Sequence, residues 1–539
     1  MELKNVIDKK FVIAGIIGLI IFVNFYFIAF PEASVDIRIT NAEAFEKSEG
    51  FLLERNFSIE GYENSIRFGS SSGAAIYVQK ELGIEKANEI IRNDIDLWFF
   101  ESRFFKPLEK KEYSVYISPK DGSVIGFSQE ILDTDDGARI AQDDAKDIAL
   151  DFLASMDVDV SEFNLIYSSS EERKNRVDHE FRWEKKNYSI ANATYRIVVL
   201  VYGDYVGYYD KYLYIPESFT RDYENEMSYG VVLTLASLAF MVILAILSFW
   251  VFIVNYKRNE IHMRFAACLA VAVGALSVAE MINSYPLVLS SYPTTISKEV
   301  FFATILVSTV ISALIYMIII VMSGASGEVL SRKVLSSDTS IITNLRKKIF
   351  SADFIGASVR GYSLGFFFLG YVTLFYLVGR NFFDIWIPAD AGYSGMVNTF
   401  MPFLFPLTIG ILASVSEEFM FRFFAIPFTK KYTKSMFLAL LIPAMIWAFG
   451  HSSYTVFPVY VRGIELTIAG LIFGYVFVKY DIMTVLIAHY VIDATLVGMP
   501  LLLSSNMYYF GSGMVVVLLM LIPAFVTGGI IAKKKFSRG

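Results

Sequence analysis

The sequence predicts a polytopic all-α membrane protein of about ten transmembrane helices with an inserted α+β extracytoplasmic domain. Three observations carry that prediction. Of 539 residues, 55% are hydrophobic and 19% charged, whereas soluble chains are roughly 45–50% apolar and about 25% charged. Apolar runs of about 20 residues, the length a helix needs to cross a bilayer, recur along the chain. Charge is also segregated. Residues 31–228 hold 39 acidic and 23 basic side chains, a net of −16, inside a framework whose other residues carry +9. The overall net of −7 conceals this division and argues against a nucleic-acid partner. A lone Cys268 excludes an intrachain disulfide framework and a cysteine-based zinc ribbon.

The first apolar run, residues 11–29, has two readings: a cleaved signal peptide or an uncleaved anchor (residues 1–30). Its bulky end, Phe25-Tyr26-Phe27-Ile28, and the lack of a small-x-small site before Pro31 favour the anchor. Residues 31–228 then mix helical periodicity (Lys86–Trp98, Ala141–Met156) with strand alternation (Glu112–Ser118, Tyr195–Tyr202). Pro119-Lys-Asp-Gly122 reads as a hairpin turn, and two similar halves are expected. The strand–turn–strand followed by the helix from Ala141 resembles PepSY-like domains over about 60 residues. His179 lies among acids without a second ligand at metal spacing, so the block reads as a module that binds a partner or regulator.

Further spans are expected near 230–254, 265–283 and 300–322, an accessory set within 229–323. A basic cytoplasmic loop occupies 324–354. Six more spans are expected near 360–379, 397–416, 435–450, 461–478, 482–499 and 512–532, followed by a basic tail at 533–539. Backbone groups in lipid must be satisfied within the segment, so these runs are helices. With a cytoplasmic N-terminus, 19 Lys and Arg fall in inside segments and only Lys298, Arg380 and Arg462 in short outside ones. That asymmetry places both termini in the cytoplasm and residues 31–228 outside it.

Ionisable groups within spans cost about 2.5–3.5 kcal/mol each on insertion, so each needs a reason. Glu280 stands alone in the third span and reads as lumen-facing or interfacial. Glu417, Glu418 and Arg422 share the sixth, His451 ends the seventh, and His489 and Asp493 share the ninth. Glu418 and Arg422, four apart, can pair across one helical turn. Glu417 is rotated by about 100° and points elsewhere, free to meet a neighbouring helix. His489 and Asp493 share a face, and Trp447 lies one turn before His451. Such groups can activate water and stabilise an oxyanion. Glu417, His451 and His489 can equally hold a divalent metal such as zinc, so the site works with a metal or with none.

These residues carry a resemblance. Glu417-Glu418-Phe-Met-Phe-Arg422 matches the EExxxR motif of the CPBP (CAAX protease and bacteriocin-processing, or Abi) family, which includes type II CAAX prenyl endopeptidases. Trp447-Ala-Phe-Gly-His451 is similar to its F/W-xxx-H motif and His489-Tyr-Val-Ile-Asp493 to its H-xxx-N/D motif. The resemblance covers about residues 397–500 and places a CPBP-type domain at 355–532. It implies hydrolysis of a peptide bond in a membrane-associated or lipidated substrate, with membrane lipid as the surround. Glu417 would be the base that activates water, His451 would lie beside it, His489 and Asp493 would stabilise the oxyanion, and Glu418 and Arg422 would support them. The family's metallo- or glutamate-type chemistry stays open. Where some members have Asn, this chain has Asp493, which would have to be protonated, orient His489 or bind metal.

Other readings compete. No HExxH or GxGD motif occurs. A rhomboid-like Gly324-Ala-Ser326-Gly327 does occur, but at the end of the fourth span and before a polar loop. A non-catalytic scaffold or receptor, or a transporter, is the alternative from another functional class.

Overall fold

A computed structural model describes residues 9–30, 37–335, 352–387 and 394–536. The expected residues Pro31, Lys4, Arg346, Lys347, Lys348 and Arg538 lie outside this set.

The acidic block folds as one mixed domain. Helix α1 (Lys9–Ala29) precedes it. Then come α2 (Asn41–Glu54), β1 (Glu63–Ser70), α3 (Ser72–Leu82), α4 (Ile84–Asn93), β2 (Trp98–Phe105), β3 (Glu112–Ile117) and β4 (Val124–Glu130). The second half holds α5 (Gln142–Ser155), β5 (Phe163–Glu172), β6 (Val177–Ile190), β7 (Ala193–Tyr202) and β8 (Tyr205–Tyr214). The eight strands form one antiparallel sheet in the order β1-β2-β3-β4-β8-β7-β6-β5. Each half is thus a helix followed by four antiparallel strands, interrupted in the first half by α3 and α4 between β1 and β2, and the halves join at β4–β8 through Gly126↔Asp210 and Phe127↔Tyr209. Ala145, Ala149 and Leu153 bury one stripe of α5 against Phe181, Trp183 and Val199. A side-chain cap from Thr40, answered by Glu43, starts α2. The expected turn at Gly122 forms with φ +75°. The expected helix Lys86–Trp98 ends at Asn93 instead, and Trp98 opens β2 with its ring stacked on Phe68. His179 is a core residue, bonded to Ser170 Oγ at 2.8 Å and to the Ile140 carbonyl at 3.2 Å.

The rest is helical. Among the described residues, eight helices are long and apolar enough to cross a membrane, or nine if one bent pair counts as a span. Three are α6 (Glu217–Tyr256), α7 (Arg264–Asn283) and α9 (Lys298–Leu330), with the short α8 (Tyr285–Ser290) before α9. The expected ten spans shrink for two reasons. Met436–Phe449 has 14 residues, about 21 Å of helix against a hydrocarbon core of about 30 Å. The last run bends by 45° between Met520 and Ile522, beside Pro523, which has no N–H to continue the ladder. The sixth span also shifts: it runs from Leu404 to Thr433, and so carries the Glu417 region in its middle rather than at its end.

Glycine sets the closest approaches. A Cβ on Gly18 would lie 2.3 Å from the Phe366 carbonyl oxygen, so α1 seats directly on the helix Ala352–Phe383. The sheet domain rests on the bundle end. Asn41 Nδ2 donates to the Val397 carbonyl at 2.6 Å, Tyr509 Oη donates to Asn41 Oδ1 at 3.3 Å, and an Arg103 guanidinium N–H donates to the Tyr292 carbonyl at 2.6 Å.

Candidate active site

The helix Leu404–Glu417 changes character at its end. Residues Glu418–Ala425 form a π-helical turn before helix continues over Ile426–Thr433. Such turns are rare and recur at functional sites. This one is packed from both sides. Phe419 and Phe423 meet α9 where Gly324 and Gly327 leave room; a Cβ on Gly327 would lie 2.6 Å from the Phe423 carbonyl oxygen. The rhomboid-like motif is therefore a packing notch. Ser326, expected as a candidate nucleophile only in that reading, is buried and donates to the Ser248 carbonyl at 2.9 Å.

Within the π turn, Glu418 and Arg422 pair at 2.9 Å, with side chains 0% and 2% exposed. The guanidinium lies 4.1 Å from the centroid of the Trp447 ring and 5.2 Å from that of Phe473, a cation–π cage that offsets part of its desolvation. Glu418 Oε1 also accepts from His489 Nδ1 at 2.7 Å. One buried carboxylate oxygen therefore ties the Arg422 turn to the helix Ile482–Leu503, which carries His489.

The other His489 nitrogen faces two acids. Nε2 is 3.3 Å from Asp493 Oδ2 and 3.8 Å from Glu417 Oε2. Glu417 Oε2 in turn accepts from Trp447 Nε1, on the helix Met436–Phe449. The Glu417 and Asp493 side chains are 24% and 25% exposed, so both reach open space while Glu418 and Arg422 do not. Phe473 closes one side of the His489 ring, with centroids 5.7 Å apart.

The sequence-predicted residues Glu417, Glu418, Arg422, Trp447, His489 and Asp493 thus form one connected cluster from three segments. His451 sits at its margin. Its Nδ1 donates to the Trp447 carbonyl at 2.9 Å, which leaves Nε2 as the acceptor of the neutral ring. Its ring packs edge-on against Trp447 and Tyr454. No hydrogen bond or ion pair joins it to Glu417, His489 or Asp493 among the described residues.

The donor set Glu417, His451 and His489 does not fit a metal in this arrangement. His451 Nδ1 is engaged by the Trp447 carbonyl and its ring makes no bond to Glu417 or His489 among the described residues, while His489 Nε2 and Glu417 Oε2 are 3.8 Å apart. Among the described residues, no group of three His, Cys, Asp or Glu side chains is placed to hold an ion.

Glu280 belongs elsewhere. It accepts from Ser284 Oγ at 2.9 Å and Thr408 Oγ1 at 3.5 Å, and Asn283 Nδ2 also reaches it. Sequence reasoning missed a second pair, half-buried Arg462 with buried Glu465 at 2.5 Å, with Arg462 also donating to Tyr376 Oη at 3.3 Å. An acid inside an expected span, three residues after an arginine, was the signal available. The pair steadies Tyr454, which covers His451: Arg462 lies 5.9 Å from the centre of that ring.

Comparison with known proteins places this cluster. Residues 399–495 match the family model described as type II CAAX prenyl endopeptidase Rce1-like, and every residue of the cluster falls within that segment. The chain is 30% identical over 95 residues to the sporulation-killing factor biosynthesis protein SkfC of Bacillus subtilis (strain 168). That alignment spans 18% of this chain and 19% of SkfC. No solved structure matches. The C-terminal region therefore carries an Rce1-like domain of the family its three motifs resemble, on a polytopic helical membrane protein with an inserted α+β domain.

Proposed function

We propose that this Rce1-like region is an intramembrane endopeptidase that hydrolyses a peptide bond of a membrane-associated or lipidated substrate. Glu417 takes a proton from water, and the resulting hydroxide attacks the scissile carbonyl carbon. His489, an imidazolium with its Nδ1–H on Glu418, turns the Nε2–H that faces Asp493 to the oxyanion as the tetrahedral centre forms. Glu417 then returns the proton to the leaving amine, so that one water is consumed and a carboxylic acid and an amine are released, which become carboxylate and ammonium in water. Asp493 orients His489, the role its contact with Nε2 favours. Trp447 holds Glu417 by its indole N–H, the Glu418–Arg422 pair fixes the opposite edge of His489, and His451 offers Nε2 to water or substrate. No step runs through a metal.

The observation that supports this most strongly is the shared contact of His489. One nitrogen is anchored by a buried carboxylate at 2.7 Å and the other faces the accessible Glu417 at 3.8 Å. An anchored ring beside an accessible base is what a water-activating site needs. The family description, an endopeptidase, favours a peptide substrate. The expected division into anchor (1–30), extracytoplasmic domain (31–228), accessory helices (229–323), loop (324–354), protease domain (355–532) and tail (533–539) is proposed with it. So is the expected orientation with both termini cytoplasmic.

The test is cleavage of a library of membrane-inserted peptides by the purified chain in detergent. Replacing the base, Glu417→Ala or Glu417→Gln, should slow cleavage by about 100-fold or more. Persistent cleavage in both variants refutes the mechanism and leaves the scaffold or receptor reading. Activity lost to a chelator and restored by zinc refutes the metal-free step.

A further inference from the structure

Helix α6 leaves the sheet domain without a linker. Strand β8 ends at Tyr214, Ile215 and Pro216 follow, and α6 then runs unbroken for 40 residues with no proline. That is about 60 Å of helix against a hydrocarbon core of about 30 Å. Its polar first turns, 217–228, therefore belong to the sheet-domain side and its apolar remainder to the bundle. Phe219, in the first turn, packs on the core of the sheet domain. Its ring meets that of Tyr77 on α3 edge-on, with centroids 4.9 Å apart.

Further along, the same helix grips the segment that carries His451. Residues 450–460 are irregular, so their backbone groups need partners inside the protein. Thr234 Oγ1 accepts from the Ser453 N–H at 2.9 Å. Gly230, one turn earlier, lets the helix approach the Ser452 carbonyl; a Cβ there would lie 2.4 Å from that oxygen. Ser237 donates to the Ile446 carbonyl. The three positions follow at four and seven residues, on one face of α6. A row of rings makes a second connection. Tyr223 stacks on Phe219 at 6.3 Å and meets Phe457 at 5.3 Å. Phe457 stacks on Trp386 at 4.4 Å, and the two exchange backbone hydrogen bonds of 3.0 Å. Lys80 of α3 ties both ends, its Nζ 5.4 Å from the centre of Phe219 and 5.5 Å from that of Trp386.

We infer that α6 is the element through which the sheet domain positions His451, with Thr234 as a positioning residue. The inference rests on the hydrolytic reading of the site. Glu417 and His489 are held by Trp447 and Glu418, inside the Rce1-like segment 399–495, whereas Thr234, Phe219 and Tyr77 lie outside it. A displacement of the sheet domain carries Phe219 and Tyr223 with it, shifts α6, and pulls on the Ser452–Ser453 backbone. His451 then leaves its place beside the site while the contact of His489 with Glu418 stays made. The sheet domain thus tunes the chemical step and leaves substrate affinity alone.

The experiment uses the full chain in phosphatidylcholine nanodiscs. Two quantities are read: hydrogen exchange over 451–457, and cleavage of the library peptide that the parent chain cuts fastest. Thr234→Val keeps the side-chain shape and removes the acceptor. It should speed exchange over 451–457 and lower kcat about fivefold with KM unchanged, and Thr234→Ser should restore both. Phe219→Ala should speed the same exchange and lower kcat about threefold, with exchange of β4 and β7 as in the parent. Because both act through one joint, the double variant should lose less than the roughly 15-fold product of the two. Glu417→Gln should stop cleavage without changing exchange over 451–457. Cleavage that survives Glu417→Gln refutes the hydrolytic reading. Unchanged exchange over 451–457 in Thr234→Val and Phe219→Ala overturns the coupling, whether or not any peptide is cut. Faster exchange with kcat intact, a loss in KM alone, or fully multiplied losses in the double variant overturn it as well.

Discussion

Glu417 and Glu418 are neighbours in sequence, yet replacing each by alanine should fail in different ways. Glu418→Ala removes the one carboxylate bonded to Arg422 among the described residues, at 2.9 Å, in a setting where neither side chain meets solvent. Breaking one partner out of a buried pair costs about 3–5 kcal/mol, because the remaining charge stays desolvated. His489 Nδ1 loses its acceptor at the same time, at 2.7 Å, a further cost of about 1–3 kcal/mol for a stranded buried donor. Glu417→Ala gives up the bond from Trp447 at a position that is 24% exposed, worth about 1 kcal/mol. Unfolding in detergent, followed by tryptophan fluorescence against denaturant, should therefore separate the two variants by about 3 kcal/mol or more. Both should be inactive, but only Glu418→Ala should be unstable. The paired change Glu418→Leu with Arg422→Met should recover most of that stability, since apolar isosteres of a buried ion pair are often neutral. It should not recover cleavage, because His489 then has no anchor. If Glu418→Ala unfolds within about 1 kcal/mol of Glu417→Ala, the pair is not a structural element and the assignment of roles is wrong.

Three more outcomes are expected. Ser326→Ala should cleave like the parent chain, whereas Gly327→Val should lose about 1–3 kcal/mol of stability and some activity, because its side chain would strike the Phe423 backbone; thermal unfolding and cleavage rates check both. Burial pushes the Asp210 carboxyl of β8 up to about 6, so its neutral form suits the folded sheet, and the stability it contributes is whole below the unfolded value of 3.8 and lost as pH rises through 6. Asp210→Asn should therefore stabilise the sheet by about 3 kcal/mol near pH 8 and by little near pH 4, read from hydrogen exchange of β4, β7 and β8. Gly18→Leu should loosen α1 from the helix Ala352–Phe383, where its side chain would meet the Phe366 and Phe367 backbone, and should raise protease sensitivity of the α1 segment.

The site was legible in the sequence because it is written at helical spacing with residues that lipid penalises. Glu418 and Arg422, and His489 and Asp493, are each four apart, and both contacts form. The first pair forms although the segment is a π turn, because residues four apart remain neighbours when the turn widens. The π turn itself left no sequence signal, since it depends on glycines of α9, about 95 positions earlier in the chain. That also explains the misplaced sixth span: hydropathy falls at Glu417, but the helix continues because its charges are paired inside the bundle. Met436–Phe449 was expected as a full span because composition counts apolar residues, whereas its length is limited by where the chain must turn to present His451. Arg462 was counted with a short connection, which hid its pairing with Glu465 one turn later. In the acidic block, period and turn chemistry located the strands and the Gly122 turn, but the junction of the halves at β4–β8 is a non-local pairing that period alone does not encode.

The position of Glu280 shows why a membrane protein retains costly charge away from its chemistry. The Glu417 helix begins after a segment, 398–403, that is not regular helix and so leaves backbone groups to be satisfied within the bundle. Asn283 meets that need directly: its Oδ1 accepts from the Met401 N–H at 2.7 Å, its Nδ2 donates to the Met401 carbonyl at 3.2 Å, and its backbone carbonyl accepts from Phe400 at 3.1 Å. Glu280 collects Ser284 and Thr408 around the same joint, and Asn41 of the sheet domain donates to Val397 from the other side. The start of the helix that ends in Glu417 is therefore held by both the accessory helix α7 and the sheet domain. A base that must stay beside one imidazole, close enough to share a water with it, gains from a helix whose far end cannot slide. Glu280 is thus a half-buried joint between α7 and the Glu417 helix, where an apolar replacement would leave Ser284 and Thr408 without the acceptor that fixes the segment.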